Sequence, residues 1–209
     1  MKLYYSPASP FARKVLIAAH EIGIHRDIEL ISAHITPIQT DDSVNQANPL
    51  GKIPALVVDR TESQDGAALY DSRVICEYLD SLHDGPRLIP GDSTARWTAL
   101  RRQAQGDGIM DAAILRRYET VLRPQALRWD EWSEGQNGKI NRALDDLERQ
   151  ADLIGEVLDI GTITIACALG YLDLRFPEED WRAGRTRLTA WFERFAARPS
   201  FQATMPAIG

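Results

Sequence analysis

A serine–proline pair directly after a short strand is the feature that most constrains this chain of 209 residues. Residues 2–5 (KLYY) predict the strand, and Ser9-Pro10-Phe11 opens an amphipathic segment whose apolar positions recur at helical spacing. Serine is favoured at the N-cap of a helix and proline at its first position, so we expect a helix to begin at Pro10. A hydroxyl at that place lies beside unpaired backbone N–H groups and the positive end of the helix dipole, where an anion such as a thiolate is stabilised.

The first eighty residues alternate strand and helix signals. In chain order they predict a strand at 2–5, a helix that ends near Gly23, a strand at 27–31, an irregular polar stretch at 33–49, a hairpin of 55–58 with 67–70, and a helix at 72–82. A strand–helix–strand unit requires a parallel pair of strands joined by a crossover, and the hairpin adds antiparallel strands. The prediction is therefore a small mixed sheet in an α/β domain.

The second half of the chain has a different character, because its apolar residues follow helical rather than alternating periodicity. Residues 83–92 are rich in proline and glycine and are predicted to be a linker. Beyond them the pattern predicts helices at about 94–118, 137–154, 164–176 and 186–198. We therefore expect an all-helical (all-α) domain over residues 93–209.

Composition narrows the classes of function. The net charge of −6 and the pI of about 5.3 argue against a broad nucleic-acid-binding surface, which would be basic. No apolar run reaches the roughly 20 residues of a membrane span, and Arg13 and Lys14 interrupt the first apolar stretch, unlike a signal peptide. Cys76 and Cys167 form no CxxC motif, and the histidines show no metal-ligand spacing. We expect a cytoplasmic protein with no metal, no nucleic-acid partner and no membrane anchor.

Two later motifs turn the serine–proline pair into a three-part pattern: residues 51–56 (GKIPAL) and residues 69–73 (LYDSR). With these motifs in this order, followed by a linker and a helical domain, the whole chain resembles a bacterial cytosolic glutathione S-transferase. The Ser-Pro-Phe form is most similar to classes that use an active-site serine, such as the plant tau class. The resemblance implies a thioredoxin-like, glutathione-binding domain (βαβ-ββα) at 1–82 and an all-helical domain at 93–209 that forms the pocket for the electrophile.

The resemblance also implies a catalytic residue. Ser9 would donate a hydrogen bond to the sulfur of glutathione and hold it as a thiolate, although a serine at this position is also a good helix cap without any catalytic role. Tyr5 is an alternative donor, because several classes of the family use a tyrosine at the end of the first strand. Ser6 is a third candidate, on the turn before Pro7.

The other motif residues would bind glutathione, the expected cosubstrate. Ile53-Pro54 resembles the family's cis-proline, which turns the backbone of Ile53 toward the cysteinyl backbone of glutathione, as in strand addition. Lys52 would pair with the glycyl carboxylate. Asp71 and Ser72 would hold the ammonium and carboxylate groups of the γ-glutamyl end. Asp71 is one methylene shorter than the glutamate that the family usually has there.

These roles predict a homodimeric glutathione transferase, in which the thiolate attacks an electrophilic carbon of an apolar substrate, a reaction typical of detoxification. Two alternatives stay open. One is a glutathione-dependent dehalogenase or isomerase, and the other is a non-catalytic binding or regulatory protein on the same fold. A thiol reductase is disfavoured, because such members of the family need a cysteine where Ser9 stands.

One departure from the family pattern concerns the helical domain. Members usually carry a Ser/Thr-x-x-Asp capping box there, and the matching residues of this chain run from Thr164 to Cys167. We expect Thr164 to cap a helix while Cys167 provides no returning carboxylate, at a cost of about 1 kcal/mol.

Overall fold

The first unit of the chain includes both its beginning and its end. The computed structural model describes residues 1–58, 68–91 and 93–206. These residues fall into two units, Met1–Ile89 with Pro199–Gly209, and Pro90–Arg198.

The unit boundaries differ from the sequence-based assignment at two places. Residues 199–209 were assigned to the helical domain, but the segment that begins at Pro199 packs on the first helix of the first unit. Residues 83–92 were assigned to a linker, but the first unit extends to Ile89, because the carboxylate of Asp80 accepts the backbone N–H groups of residues 88 and 89. Residue 92 and residues 207–209 lie outside the described residues.

A mixed sheet forms the centre of the first unit, as predicted. Within the described residues it has three strands in the order β2-β1-β3: β1 (Lys2–Tyr5), β2 (Glu29–Ser32) and β3 (Ala55–Val57). Helix α1 (Pro10–Glu21) connects β1 to its parallel neighbour β2, whereas β3 runs antiparallel to β1. Leu3 on the central strand is fully buried, so one face of the sheet packs in the core.

The remaining helices of the first unit are α2 (Asp42–Ala47), α3 (Ser72–Ser81) and α8 (Pro199–Ala203), with a 3₁₀ turn at His25–Asp27. The sequence predicted no helix where α2 lies. Asp41 caps α2 through its carboxylate, which accepts from two backbone N–H groups, and Val44 is its buried residue. A helix of six residues with a single buried side chain gives almost no periodic signal, which explains the omission.

The predicted second strand of the hairpin is much reduced. In the described part of that segment, residues 68–70, Leu69 makes one antiparallel bridge to Leu56, with N···O distances of 2.9 and 2.8 Å. Ala67 and the connection at 59–66 lie outside the described residues. The bridge still fixes where the chain enters α3.

The helices of the second unit lie close to their predicted positions: α4 (Ser93–Val121), α5 (Asp130–Ile154), α6 (Ile160–Arg175) and α7 (Thr186–Ala196). A 3₁₀ turn at Gln125–Leu127 joins α4 to α5. Helix α5 starts seven residues before the predicted position, and Gly135 and Gly138 lie inside it.

The predicted cap of the next helix was wrong. Asp159 caps α6, and a reciprocal capping box links its carboxylate to the backbone N–H of Thr162 and the Thr162 hydroxyl to the backbone N–H of Asp159. Thr164 lies inside the helix, fully buried, and its hydroxyl donates to the carbonyl oxygen of Ile160 at 2.6 Å.

Candidate active site

The strand arrangement brings the three motifs to one edge of the sheet. Because β3 runs antiparallel to β1 and Tyr4 pairs with Ala55, the end of β1 lies beside the start of β3. The turn that leads to Ser9 and the residues that precede β3 therefore share this edge. On the other side of β3, the bridge from Leu56 to Leu69 carries the chain toward the same edge, where α3 begins.

Ser9 occupies the N-cap of α1. Its Oγ accepts a hydrogen bond from the backbone N–H of Ala12 at 3.2 Å, and its carbonyl oxygen accepts from the backbone N–H of Arg13 at 3.0 Å. A hydroxyl has one donor and two acceptor sites, so capping uses one acceptor site of Oγ and leaves its proton to donate elsewhere. Ser9 is half-buried. The capping role and a ligand-binding role of this serine are therefore compatible.

Tyr5 and Ser6 are near the same edge but are held differently. Tyr5 is the last residue of β1 and is half-buried, and its carbonyl oxygen accepts from the backbone N–H of Ala33 at 2.8 Å. Ser6 accepts through its carbonyl oxygen from the backbone N–H of Ser9 at 3.0 Å, which closes the turn. Neither of them occupies a helix N-terminus, so Ser9 has the stronger electrostatic environment for an anion.

The peptide bond between Ile53 and Pro54 is cis, as predicted. Pro54 is buried directly before β3, and Ile53 is half-buried. Pro54 therefore packs in the core, while Ile53 before it stays partly open to solvent.

Asn48 organises the loop that carries Lys52, a role that sequence analysis missed. Its side chain is 2% exposed; the amide donates to the carbonyl oxygen of Lys52 at 2.8 Å and the Oδ1 atom accepts from the backbone N–H of Leu50. Gly51 has φ of +61°, a conformation that glycine adopts without strain. The loop fixes the backbone of Lys52 and leaves its side chain exposed. No sequence signal pointed to this role, because the burial of Asn48 and its bonds to Leu50 and Lys52 exist only in the folded loop.

Asp71 and Ser72 open α3 at the same edge. Asp71 is exposed and caps the helix, since its Oδ1 atom accepts from the backbone N–H of Arg73 at 2.9 Å. Ser72, the first residue of the helix, is 2% exposed. The peptide bond before Asp71 is also cis.

The charges at this edge suit a ligand with three different polar groups. Ser9 and the N-terminus of α1 favour an anion such as a thiolate, the exposed ammonium of Lys52 favours a carboxylate, and the exposed carboxylate of Asp71 favours an ammonium group. In the part of the chain that the structure describes, no group of three or more metal-ligating side chains is placed to hold a metal ion. No described helix is long and apolar enough to cross a membrane.

This fold and the meeting of the three motifs define a thioredoxin-like domain joined to a helical domain. Residues 8–82 match the family model of the glutathione S-transferase N-terminal domain, and residues 130–194 match that of the C-terminal domain. The uncharacterized GST-like protein YibF of Escherichia coli K12 is 36% identical over 209 residues, which cover 99% of this chain and 98% of that protein. The chain belongs to the glutathione S-transferase family.

Two solved structures are also similar. A glutathione transferase family member from Pseudomonas fluorescens Pf-5 with bound glutathione is 46% identical, with a TM-score of 0.94 over 99% of both chains. A structure from the same organism with bound S-(propanoic acid)-glutathione is 44% identical, with a TM-score of 0.90 over 100% of both chains.

Proposed function

We propose that this protein is a glutathione transferase in which Ser9 activates the thiol. The sulfur of glutathione accepts the hydrogen bond of the Ser9 hydroxyl at the N-terminus of α1 and loses its proton to solvent. The thiolate attacks an electrophilic carbon, a carbon–sulfur bond forms, and the leaving group departs with its electron pair. The bound glutathione and bound glutathione thioether of the similar Pseudomonas structures support this substrate class.

The capping geometry of Ser9 carries the proposal. The Ala12 N–H already satisfies one acceptor site of Oγ, so the rotamer of the serine is fixed before a ligand arrives and its proton is available. A fixed donor at a site of developing negative charge needs no reorganisation during the reaction. The same hydroxyl on a mobile turn would lose this advantage.

The rest of glutathione would bind along the edge as an added strand. In this proposal the backbone of Ile53, which is half-buried two residues before the start of β3, pairs with the cysteinyl residue. Lys52 pairs with the glycyl carboxylate. Asp71 holds the γ-glutamyl ammonium, and Ser72, with the N-terminus of α3, receives the γ-glutamyl carboxylate.

The homodimer and the cytoplasmic location also stay proposals. Large apolar side chains are exposed on each unit: Leu50 (68%) and Val74 (46%) on the first, and Trp97 (66%) on the second. Burial of such residues against a second copy would stabilise a dimer. Cys76 and Cys167 are both buried, which is compatible with a reducing compartment. That the helical domain forms the electrophile pocket remains a prediction.

A glutathione titration tests the proposed role of Ser9. We expect the wild type to bind glutathione and to develop thiolate absorbance near neutral pH. Ser9→Ala should keep most of the binding but lose the thiolate signal, and its turnover of an aryl halide should fall by about 100-fold, as for the loss of one donor to a developing anion.

Tyr5→Phe and Ser6→Ala are the matched controls, and both should keep the thiolate signal. Loss of the signal in Tyr5→Phe but not in Ser9→Ala would transfer the activating role to the tyrosine. A wild type that neither binds nor ionises glutathione would contradict the transferase proposal and favour a binding or regulatory protein.

A further inference from the structure

The C-terminal segment forms a strap along α1, the helix that carries Ser9 at its N-cap. We define the strap as residues 199–205, which comprise α8 and the two residues after it. Phe201 is 3% exposed and Ser200 is 6% exposed, so the strap packs tightly within the first unit. Two hydrogen-bonded anchors join it to α1, one in the first turn of the helix and one at its last residue.

Arg13 is the anchor near Ser9. Its Nη2 atom donates to the carbonyl oxygen of Phe201 at 3.0 Å, and its guanidinium lies 3.8 Å from the centre of the Phe201 ring. The same nitrogen contacts the sulfur of Met205 at 3.1 Å, and the Nε atom lies 3.5 Å from the hydroxyl of Thr204. The arginine is 5% exposed, so these contacts are made away from solvent and are stronger than surface contacts.

Glu21 and Ser200 form the distant anchor. The hydroxyl of Ser200 donates to the carboxylate of Glu21, the last residue of α1. This anchor lies twelve residues after Ser9, about three helical turns away. The strap therefore has one anchor close to Ser9 and one at the opposite end of the helix.

The near anchor is built into the first turn that holds Ser9. The backbone N–H of Arg13 donates to the carbonyl oxygen of Ser9, and the N–H of the preceding Ala12 donates to the Ser9 hydroxyl. The first turn of a helix frays readily unless tertiary contacts hold it. The contacts of the Arg13 side chain with the strap supply such a restraint one turn from Ser9.

We propose that Arg13 is a positioning residue that acts through the strap to keep the Ser9 hydroxyl and the N-terminus of α1 aligned with the glutathione sulfur. This inference rests on the proposed transferase function. It follows that loosening the near anchor lowers the ionisation of bound glutathione, whereas loosening the distant anchor lowers only the stability of the fold.

The thiolate fraction of bound glutathione, measured by ultraviolet absorbance across pH in the full-length protein, tests the inference. For Arg13→Gln we expect about a threefold lower thiolate fraction near neutral pH and an equal loss in kcat at saturating glutathione, because the alignment of the helix end weakens. Phe201→Leu retains Arg13 and its charge but removes the ring, and it should lower the thiolate fraction in the same direction by a smaller factor. Ser200→Ala is the matched control at the distant anchor and should lower the Tm without changing the thiolate fraction.

Each outcome separates this inference from the proposed function. A wild type without a thiolate signal contradicts the function itself. A normal wild-type signal that neither Arg13→Gln nor Phe201→Leu alters overturns the positioning role alone. A signal lost in Arg13→Gln but unchanged in Phe201→Leu also overturns it, because the effect would then come from the arginine charge and not from the strap. If Arg13→Gln does not fold, the comparison of Phe201→Leu with Ser200→Ala decides: a lower thiolate fraction in Phe201→Leu alone supports the inference, and equal thiolate fractions overturn it.

Discussion

The two units of this protein are built from elements of different length. In the first unit the elements are short, with strands of three or four residues and helices of five to twelve. Buried polar side chains such as Arg13, Asn48 and Asp80 bond there to backbone groups outside their own helices. In the second unit the helices have 11 to 29 residues, and the long helices α4 and α6 approach each other closely at glycines.

The difference explains where the proposed chemistry lies. Short elements present many ends, and each end exposes unpaired backbone groups that bind charged ligands. Every proposed site residue stands at or beside such an end: Ser9 before α1, Asp71 and Ser72 at the start of α3, and residues 52–54 before β3. Long helices offer few ends for their length, which suits a scaffold.

Asp80 gives the largest expected effect, and it tests the polar anchoring of the first unit. Its buried carboxylate accepts the backbone N–H groups of Leu88 at 2.7 Å and Ile89 at 3.0 Å, and it lies 3.2 Å from the Nε2 atom of His83. Asp80→Ala should lower the free energy of unfolding by about 3 kcal/mol, because it leaves two buried donors without an acceptor. Urea denaturation and amide hydrogen exchange at residues 88 and 89 measure the loss.

The exposed Asp84 provides the control, since Asp84→Ala should change the free energy of unfolding by less than about 0.5 kcal/mol. Equal effects of the two variants would contradict the view that buried polar anchors stabilise the first unit.

Gly106 and Gly108 test the close helix packing of the second unit. A Cβ atom at Gly106 would lie 2.8 Å from Cγ2 and 2.9 Å from the carbonyl carbon of Thr164, whereas one at Gly108 would meet nothing within 4 Å. Gly106→Ala should destabilise the protein by about 2 kcal/mol, because α6 must shift. Gly108→Ala should stabilise it by up to about 1 kcal/mol through helix propensity.

Tryptophan fluorescence measures the unfolding of these two variants, because all five tryptophans lie in the second unit, at residues 97 to 191. Stabilisation by both alanines would show that α4 and α6 do not need the glycine at 106. It would contradict the view that these helices depend on close packing at glycine.

His20 gives the smallest expected effect. Its ring stacks on that of His25 with centroids 4.0 Å apart, and burial, followed by the charge of His25, lowers the pKa of His20 below the 6.5 of a free imidazole, partly offset by Glu21. The unfolded chain therefore binds a proton more readily, so the contribution of His20 to stability is complete above about pH 6.5 and falls as pH drops toward the folded pKa.

When the pH is lowered from about 7.5 to about 5.5, the Tm of the wild type should fall by roughly 1–2 °C more than the Tm of His20→Gln. The difference is small because the ring is largely solvated. His34→Gln, at an exposed position, should keep the wild-type pH dependence. An identical pH dependence in His20→Gln would contradict the proposed contribution of His20.

Much of the fold was predictable because its signals are local. The Ser9-Pro10 start of α1, the parallel pairing of β1 with β2, and the main helices of the second unit were all anticipated. The misses have two causes: α2 is too short to show a period, and the α6 cap at Asp159 lies beside other residues that also favour caps. Local sequence patterns indicate several residues that could cap a helix, but tertiary packing determines which of them does.

The candidate site shows the same limit. Motif order and the family resemblance identified Lys52, Ile53, Pro54, Asp71 and Ser72 as candidates. They gave no indication that the buried side chain of Asn48 shapes the Lys52 loop, because its partners become neighbours only when the loop closes.

By itself, the sequence determined where most elements begin, which residues are candidates for the proposed chemistry, and the family to which the chain belongs, since caps, prolines and short motifs act over a few neighbouring residues. Only the tertiary structure decided that residues 199–205 strap α1, that Asp80 fastens residues 88 and 89, and that Gly106 is a point of helix contact. These features depend on pairs of residues brought together by packing, and for Arg13 and Phe201 the separation is 188 positions. No local pattern encodes such a partner, because the contact exists only after the core has formed.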